Sequence, residues 1–156
     1  MEQRAEAFAQ RQGFAFDCSR RLGFGSDGTV WATPRGTAVK VFERPRPYQA
    51  EKACYLRLRH RNVTEIMGFA VPQLEGFDDE LEVVEMTIVS PPHLLDFGKT
   101  YLDCPPDYSA EVVADDLAFR KDLFDDQWPI VEQILDRLES LGIYYVDARP
   151  GNITFD

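Results

Sequence analysis

One stretch constrains the fold more than any other: Leu22-Gly23-Phe24-Gly25-Ser26-Asp27-Gly28-Thr29-Val30, which spells G-x-G-x-x-G-x-V. Glycines at this spacing allow a tight turn and let backbone N–H groups approach an anion with no side chain in the way. A dinucleotide-binding βαβ unit would run from its third glycine straight into a helix. Here Thr29-Val30-Trp31-Ala32-Thr33 follows, rich in β-formers. The turn Pro34-Arg35-Gly36 and a returning run, Thr37-Ala38-Val39-Lys40-Val41-Phe42, come next. The glycines therefore lie between strands. Taken alone, the loop is also explained as a glycine-rich hairpin.

Around this hairpin the chain divides in two. Residues 1–12 suit a short amphipathic helix or a frayed end, and Phe14-Ala15-Phe16 a short strand. Past the breakers Pro45 and Pro47, Ala50, Ala53, Cys54 and Leu58 recur at helical spacing, which predicts a helix over Tyr48 to Leu58. Strands are predicted at Phe69 to Pro72 and Leu81 to Val89, parted by an acidic turn over 75–79. After Pro91-Pro92 the pattern is helical: Leu94 to Tyr101, Ala110 to Leu123, and Trp128 to Leu141. The last is the strongest, with Ile130, Val131, Ile134, Leu135, Leu138 and Leu141 on one stripe. Asp125 or Asp126 is its expected cap, Pro129 lies in its first turn, and Gly142 follows its end. A short strand, Ile143 to Tyr145, leads through a polar loop to Ile153-Thr154-Phe155. A β-rich first half with one inserted helix, then an α-rich second half, is an α+β pattern of two lobes.

Composition narrows the function classes. A chain of 156 residues with 44% hydrophobic and 28% charged residues fits one domain with a real core. The net charge of −10 argues against non-specific nucleic-acid binding, which needs clustered cations. No run approaches the roughly 18 apolar residues of a membrane helix. The N-terminus lacks the apolar core of a secretory signal. Cys18, Cys54 and Cys104 are odd in number and widely spaced, which suits reduced thiols in a cytoplasm. Residues 1–61 hold 12 Lys/Arg against 6 Asp/Glu, and residues 62–156 hold 5 against 21. A solvated acidic face explains this asymmetry. Two lobes of opposite character around a polyanion site would explain it too.

Three further elements carry chemistry. Lys40 stands among apolar residues, on the strand face opposite Val39 and Val41, twelve positions after the last loop glycine. Glu51 lies on the next helix, on one face with Tyr55 and Leu58. Tyr145-Val146-Asp147-Ala148-Arg149-Pro150-Gly151-Asn152 sets an Asp and an Asn five apart around a Pro-Gly turn. Each has an ordinary explanation alone: a solvent-facing lysine, a solvated glutamate, an Asx-rich turn.

Together and in this order, the four elements resemble the protein-kinase-like superfamily. The match runs from about residue 20 to residue 156. The resemblance implies an N-lobe over about 14–89, with some five antiparallel strands and one helix, and a reduced helical C-lobe over about 90–156, in a single domain. It implies that Gly23, Gly25 and Gly28, with Val30, cover the phosphates of ATP or ADP. Lys40 would contact the α- and β-phosphates and pair with Glu51. Asp147 matches the catalytic base and Asn152 the magnesium-binding asparagine. Arg149 stands where serine/threonine kinases carry a lysine near the transferred phosphate, and Tyr145 replaces the usual histidine. The strand ending near Glu85 to Val89 would lead into the hinge that meets adenine. The Asp-to-Asn segment is also similar to small-molecule kinases of the aminoglycoside and choline kinase type.

The pattern departs from the family at its end. Family members carry a second metal-binding aspartate, in Asp-Phe-Gly, more than ten residues after the asparagine. Here four residues follow Asn152. Asp96-Phe97-Gly98 has the right letters but lies 51 residues before Asp147, so the family order makes it a chance occurrence. Asp156 is the only later acid, roughly 13 Å from Asn152 in extended chain. The expectation is a nucleotide-binding protein with weak phosphotransferase activity. The alternatives are an inactive pseudokinase acting as an interaction module, and one part of a split kinase. The expected ligand is a nucleotide, with no nucleic acid and no membrane. Residues 153–155 are an expected edge that pairs with another part of the chain or with a second molecule, through a protein partner or self-association.

Overall fold

The computed structural model describes residues 1–156. Helix α1 (Glu2–Gln12) precedes three strands, β1 (Arg21–Gly25), β2 (Gly28–Ala32) and β3 (Thr37–Phe42). Helix α2 (Pro45–His60) follows, then β4 (Glu65–Ile66), β5 (Phe69–Ala70), β6 (Leu74–Asp78) and β7 (Val83–Thr87). The second half holds β8 (His93–Leu94), β9 (Thr100–Leu102), α3 (Ala110–Phe124), a 3-10 turn (Asp125–Gln127), α4 (Trp128–Ser140), β10 (Ile143–Tyr145) and β11 (Ile153–Thr154).

Five strands form one antiparallel sheet in the order β1-β2-β3-β7-β6. Both faces are covered. Ala5, Phe8 and Ala9 of α1 pack with Trp31, Val39, Val41 and Val83 on one side. Ala38, Phe42, Val84 and Met86 face the other way, toward Tyr48, Cys54, Tyr55 and Leu58 of α2. This sandwiching is why Ala38 to Phe42 are all buried and β3 is apolar on both faces. The sheet with one helix against its inner face is the N-lobe that the resemblance implies, and the whole is α+β. No helix is long and apolar enough to cross a membrane.

Several elements differ from their sequence reading. Phe14 to Phe16 form no strand; Phe14 packs edge-on to Phe8, and Phe16 to Trp31. Pro45 and Pro47 do not delay α2 but open it, because proline's missing N–H is unneeded in a first turn. Asp125 and Asp126 make a 3-10 turn instead of capping α4, which has no side-chain cap. The largest difference is at 94–101. No helix forms there, because Asp96 adopts φ 59, a left-handed conformation that breaks a right-handed helix.

Instead, two strand–loop–strand arms lie side by side. Ile143, Tyr144 and Tyr145 pair antiparallel with Leu102, Tyr101 and Thr100. Ile153 and Thr154 pair antiparallel with Leu94 and His93. The two loops, 95–99 and 146–152, are thereby brought together. Beneath them α4 supplies Trp128, Val131, Ile134 and Leu138 to the main core. The C-terminal strand is not bare: β8 is its partner within the chain, Ile153 is fully buried, and Phe155 packs on Phe69. Of the two partners expected for 153–155, the structure shows one, another part of the chain.

Candidate functional site

The loop between β1 and β2 is fixed by its third glycine. A Cβ at Gly28 would meet the Val41 carbonyl oxygen at 2.1 Å, so the close β2–β3 approach admits only glycine. Gly23 and Gly25 have open space where a side chain would be, and Phe24 is exposed at the tip. Asp27 is buried within the loop, accepting from Arg44 at 3.1 Å.

Below the loop, the alternation of β3 turns Lys40 toward α2, into the protein and not into solvent. Its Nζ donates to Glu51 Oε2 at 2.6 Å and to Asp96 Oδ1 at 3.0 Å. Glu51, 1% exposed, also accepts from Tyr55 at 3.3 Å. Burial works against the Lys40 charge, but Glu51 and Asp96 outweigh it and hold the ammonium up at about 12. Burial pushes the Glu51 carboxyl up, to about 7, against the pull of Lys40. Asp96 is held below the usual carboxylate range, because Lys40 offsets the cost of its burial.

Asp96-Phe97-Gly98, a chance occurrence by family order, lies beside Lys40 in the structure. The segment forms the loop of the first arm and meets the loop of the second. Leu95 N–H donates to the Asn152 carbonyl at 2.8 Å, and Tyr145 Oη donates to the Leu95 carbonyl at 2.5 Å. The Phe97 ring lies edge-on to both Tyr55 and Tyr145. Gly98 passes close under α2, where a Cβ would sit 3.3 Å from Glu51 Oε2. Sequence order separates this segment from Asp147, but the β9–β10 and β8–β11 pairings return it to the site. Asp96 thus lies beside Lys40, ahead of Asp147 in the sequence.

Asp147 is gripped by one oxygen. Its Oδ2 accepts from Lys99 at 3.1 Å and from Asn152 Nδ2 at 3.1 Å, with Arg149 at 3.5 Å. Its Oδ1 has no partner within the chain. Asn152 is buried, and its Nδ2 also donates to the Asp147 carbonyl at 2.9 Å, which leaves its own amide oxygen free. Arg149 lies 3.9 Å from Asp96 Oδ2.

These parts enclose a cleft of about 390 Å³. Its lining includes Gly23, Gly25, Gly28, Val30, Lys40, Glu51, Arg149 and Asn152, all anticipated from sequence. Thr87, Ile88 and Val89 close the side where a hinge was expected. Asp147 stands beside the cleft, joined to it through Arg149 and Asn152. Sequence reasoning missed Asp27, Asp96 and Lys99. Only the letters Asp-Phe-Gly signal Asp96, against the family order, and nothing in the sequence signals Lys99.

No family model matches the chain, and no curated protein matches its sequence. Solved structures do. A ternary complex of streptomycin, ATP and APH(2'')-IIa matches with TM-score 0.46 and 16% identity, over 80% of this chain and 40% of that one. The ADP-bound aminoglycoside phosphotransferase APH(2'')-Ib matches with TM-score 0.45 and 16% identity, over 79% and 39%. The gentamicin complex of APH(2'')-IIa matches with TM-score 0.48 and 15% identity, over 90% and 55%. The chain thus spans 39 to 55% of the length of these structures.

Proposed function

We propose that the chain binds ATP or ADP in this cleft and, with a divalent cation, transfers a phosphoryl group to a hydroxyl acceptor. One observation carries the reading: Lys40, Asp96 and Asn152, from three separate segments, converge beneath the glycine loop. In this reading residues of about 14–89 act as an N-lobe and about 90–156 as a partial C-lobe of one domain.

Val30 and Ala38 offer an apolar surface for adenine, and the backbone of 87–89 offers hydrogen-bonding groups at its edge. Gly23 and Gly25 leave room for phosphates under the loop, and Lys40 faces them, its charge upheld by Glu51. The free oxygens of Asp96 and Asn152 suit Mg²⁺, which takes one or two protein oxygens and fills its shell with phosphate and water. When bound, the ion neutralises charge on the phosphates. Asp147 then accepts the acceptor's proton at Oδ1, the oxygen its donors leave open. Arg149, half-exposed at the cleft, balances charge on the transferred phosphoryl group. Against the inactive-module reading, Asp96 beside Lys40 offers an acid in the cleft, which supports the active one.

Thermal unfolding with ADP or ATP, with and without Mg²⁺, tests the reading. A ligand of the native state alone stabilises by about 2.7 kcal/mol at one hundred times its Kd. Mg²⁺-enhanced stabilisation is expected. No stabilisation by either nucleotide would overturn the proposal.

A further inference from the structure

Two surfaces outside the cleft complement each other. The first is α3, whose residues 110–119 are all exposed and which exposes five large apolar side chains, Val112, Val113, Leu117, Phe119 and Leu123. At 100° per residue, Val112, Phe119 and Leu123 form one stripe, and Glu111, Asp115 and Asp122 form an acidic stripe beside it. Only Phe124 is buried, and Arg120 ties the helix to the Val146 carbonyl at 3.0 Å. An apolar face this open, rimmed by one sign of charge, marks a contact surface.

The second is a groove of about 820 Å³ at the C-terminal end of α2, which shares no lining residue with the nucleotide cleft. Its floor is Leu56, Leu102 and Leu141, and its rim is Arg57, Arg59, His60 and Arg61. Arg57 is committed to Asp103 by two bonds of 2.7 Å. Arg59 and Arg61 are exposed and make no ion pair within the chain. In a protein of net charge −10, this is a concentrated cationic site. Two turns of helix, about 10 Å wide and 5.4 Å in pitch, occupy roughly 850 Å³, close to the volume of the groove.

We propose that α3 of one molecule docks into this groove on a second copy of the chain. Phe119 and Leu123 then meet the leucine floor, while Asp115 and Asp122 meet Arg59 and Arg61. Because the two surfaces differ, the contact is either reciprocated in a two-fold pair or repeated head-to-tail into rings or open chains. An apolar floor suits a helix better than nucleic acid, which offers phosphate and no apolar face.

Sedimentation velocity of the whole chain across a concentration series tests this independently of nucleotide binding. Association is expected at low salt and should weaken about tenfold or more at half-molar salt. Arg59→Glu with Arg61→Glu should weaken it about tenfold, and so should Asp115→Lys with Asp122→Lys. Combining all four reversals should restore it. Phe119→Asp should abolish it, with the thermal midpoint unchanged because the residue is 64% exposed. A monomer at every concentration would overturn the proposal. So would association indifferent to the charge reversals, or an oligonucleotide captured by the groove without self-association.

Discussion

The sheet of the first half and the paired arms of the second both hold charged groups in place, by different means. In the sheet, β3 has five register partners on β2 and five on β7. Lys40 is therefore placed by a backbone ladder that depends little on any one side chain. The arms have three register pairs on one side and two on the other. Their loops are held by particular side chains: Tyr145 on Leu95, Asn152 on Asp147, Lys99 across to Asp147, and Phe97 between two tyrosines. A ladder fixes position by repetition, whereas the arms fix it by a few contacts between segments far apart in sequence. Single substitutions should disturb the arms locally and the sheet hardly at all, except where a buried charge loses its partner.

That exception gives the largest effect. Lys40→Ala leaves Glu51 buried without its cation, which should cost about 3–5 kcal/mol and remove nucleotide binding. Urea unfolding and nucleotide titration check this. A near-neutral effect would mean that the sheet does not depend on the pair.

The next effect is pH dependence. Asp96 is held low by Lys40, so its share of stability is complete above the unfolded value of 3.8 and is lost as pH falls through the folded value. Glu51, raised by burial, acts with the opposite sign between 4.5 and about 7. The Asp96 share is isolated as wild type minus Asp96→Asn in urea unfolding over a pH series. Below about pH 4, clear of the Glu51 titration that Asp96 also shifts, that difference should shrink as pH falls. A difference that grows on acidification would contradict the sign.

The smallest effect probes the arms. Tyr145→Phe removes one hydrogen bond to the Leu95 carbonyl and should cost about 1 kcal/mol. Amide exchange should quicken in 93–102 and 143–154 while β3 and β7 stay protected. Equal acceleration in the sheet would show that the two regions open together.

The sheet was largely legible in the sequence because its information is local. Alternation in Thr37 to Phe42, the Pro34-Arg35-Gly36 turn and the spacing from Gly28 to Lys40 each follow from neighbours a few residues apart. The arms were not. Leu94 to Tyr101 carries enough apolar residues for a helix, and only the pairing with residues 143–154 makes it two strands. Of the site, the glycines, Lys40, Glu51, Arg149 and Asn152 were placed in the cleft as expected. Asp96 was discounted because its position was judged from chain order, while its place in space is set by β8–β11 and β9–β10 pairing.

The proposed function stands on Asp96 completing a metal–phosphate site with Lys40 and Asn152. Calorimetric titration of ATP with and without Mg²⁺ tests it on the wild type, Asp96→Asn and Asp156→Asn, Asp156 being the only acid that follows Asn152. The account predicts that Mg²⁺ strengthens ATP binding in the wild type and in Asp156→Asn, and that Asp96→Asn loses most of that gain while still binding nucleotide. Full Mg²⁺ enhancement in Asp96→Asn, or its loss in Asp156→Asn, would contradict it.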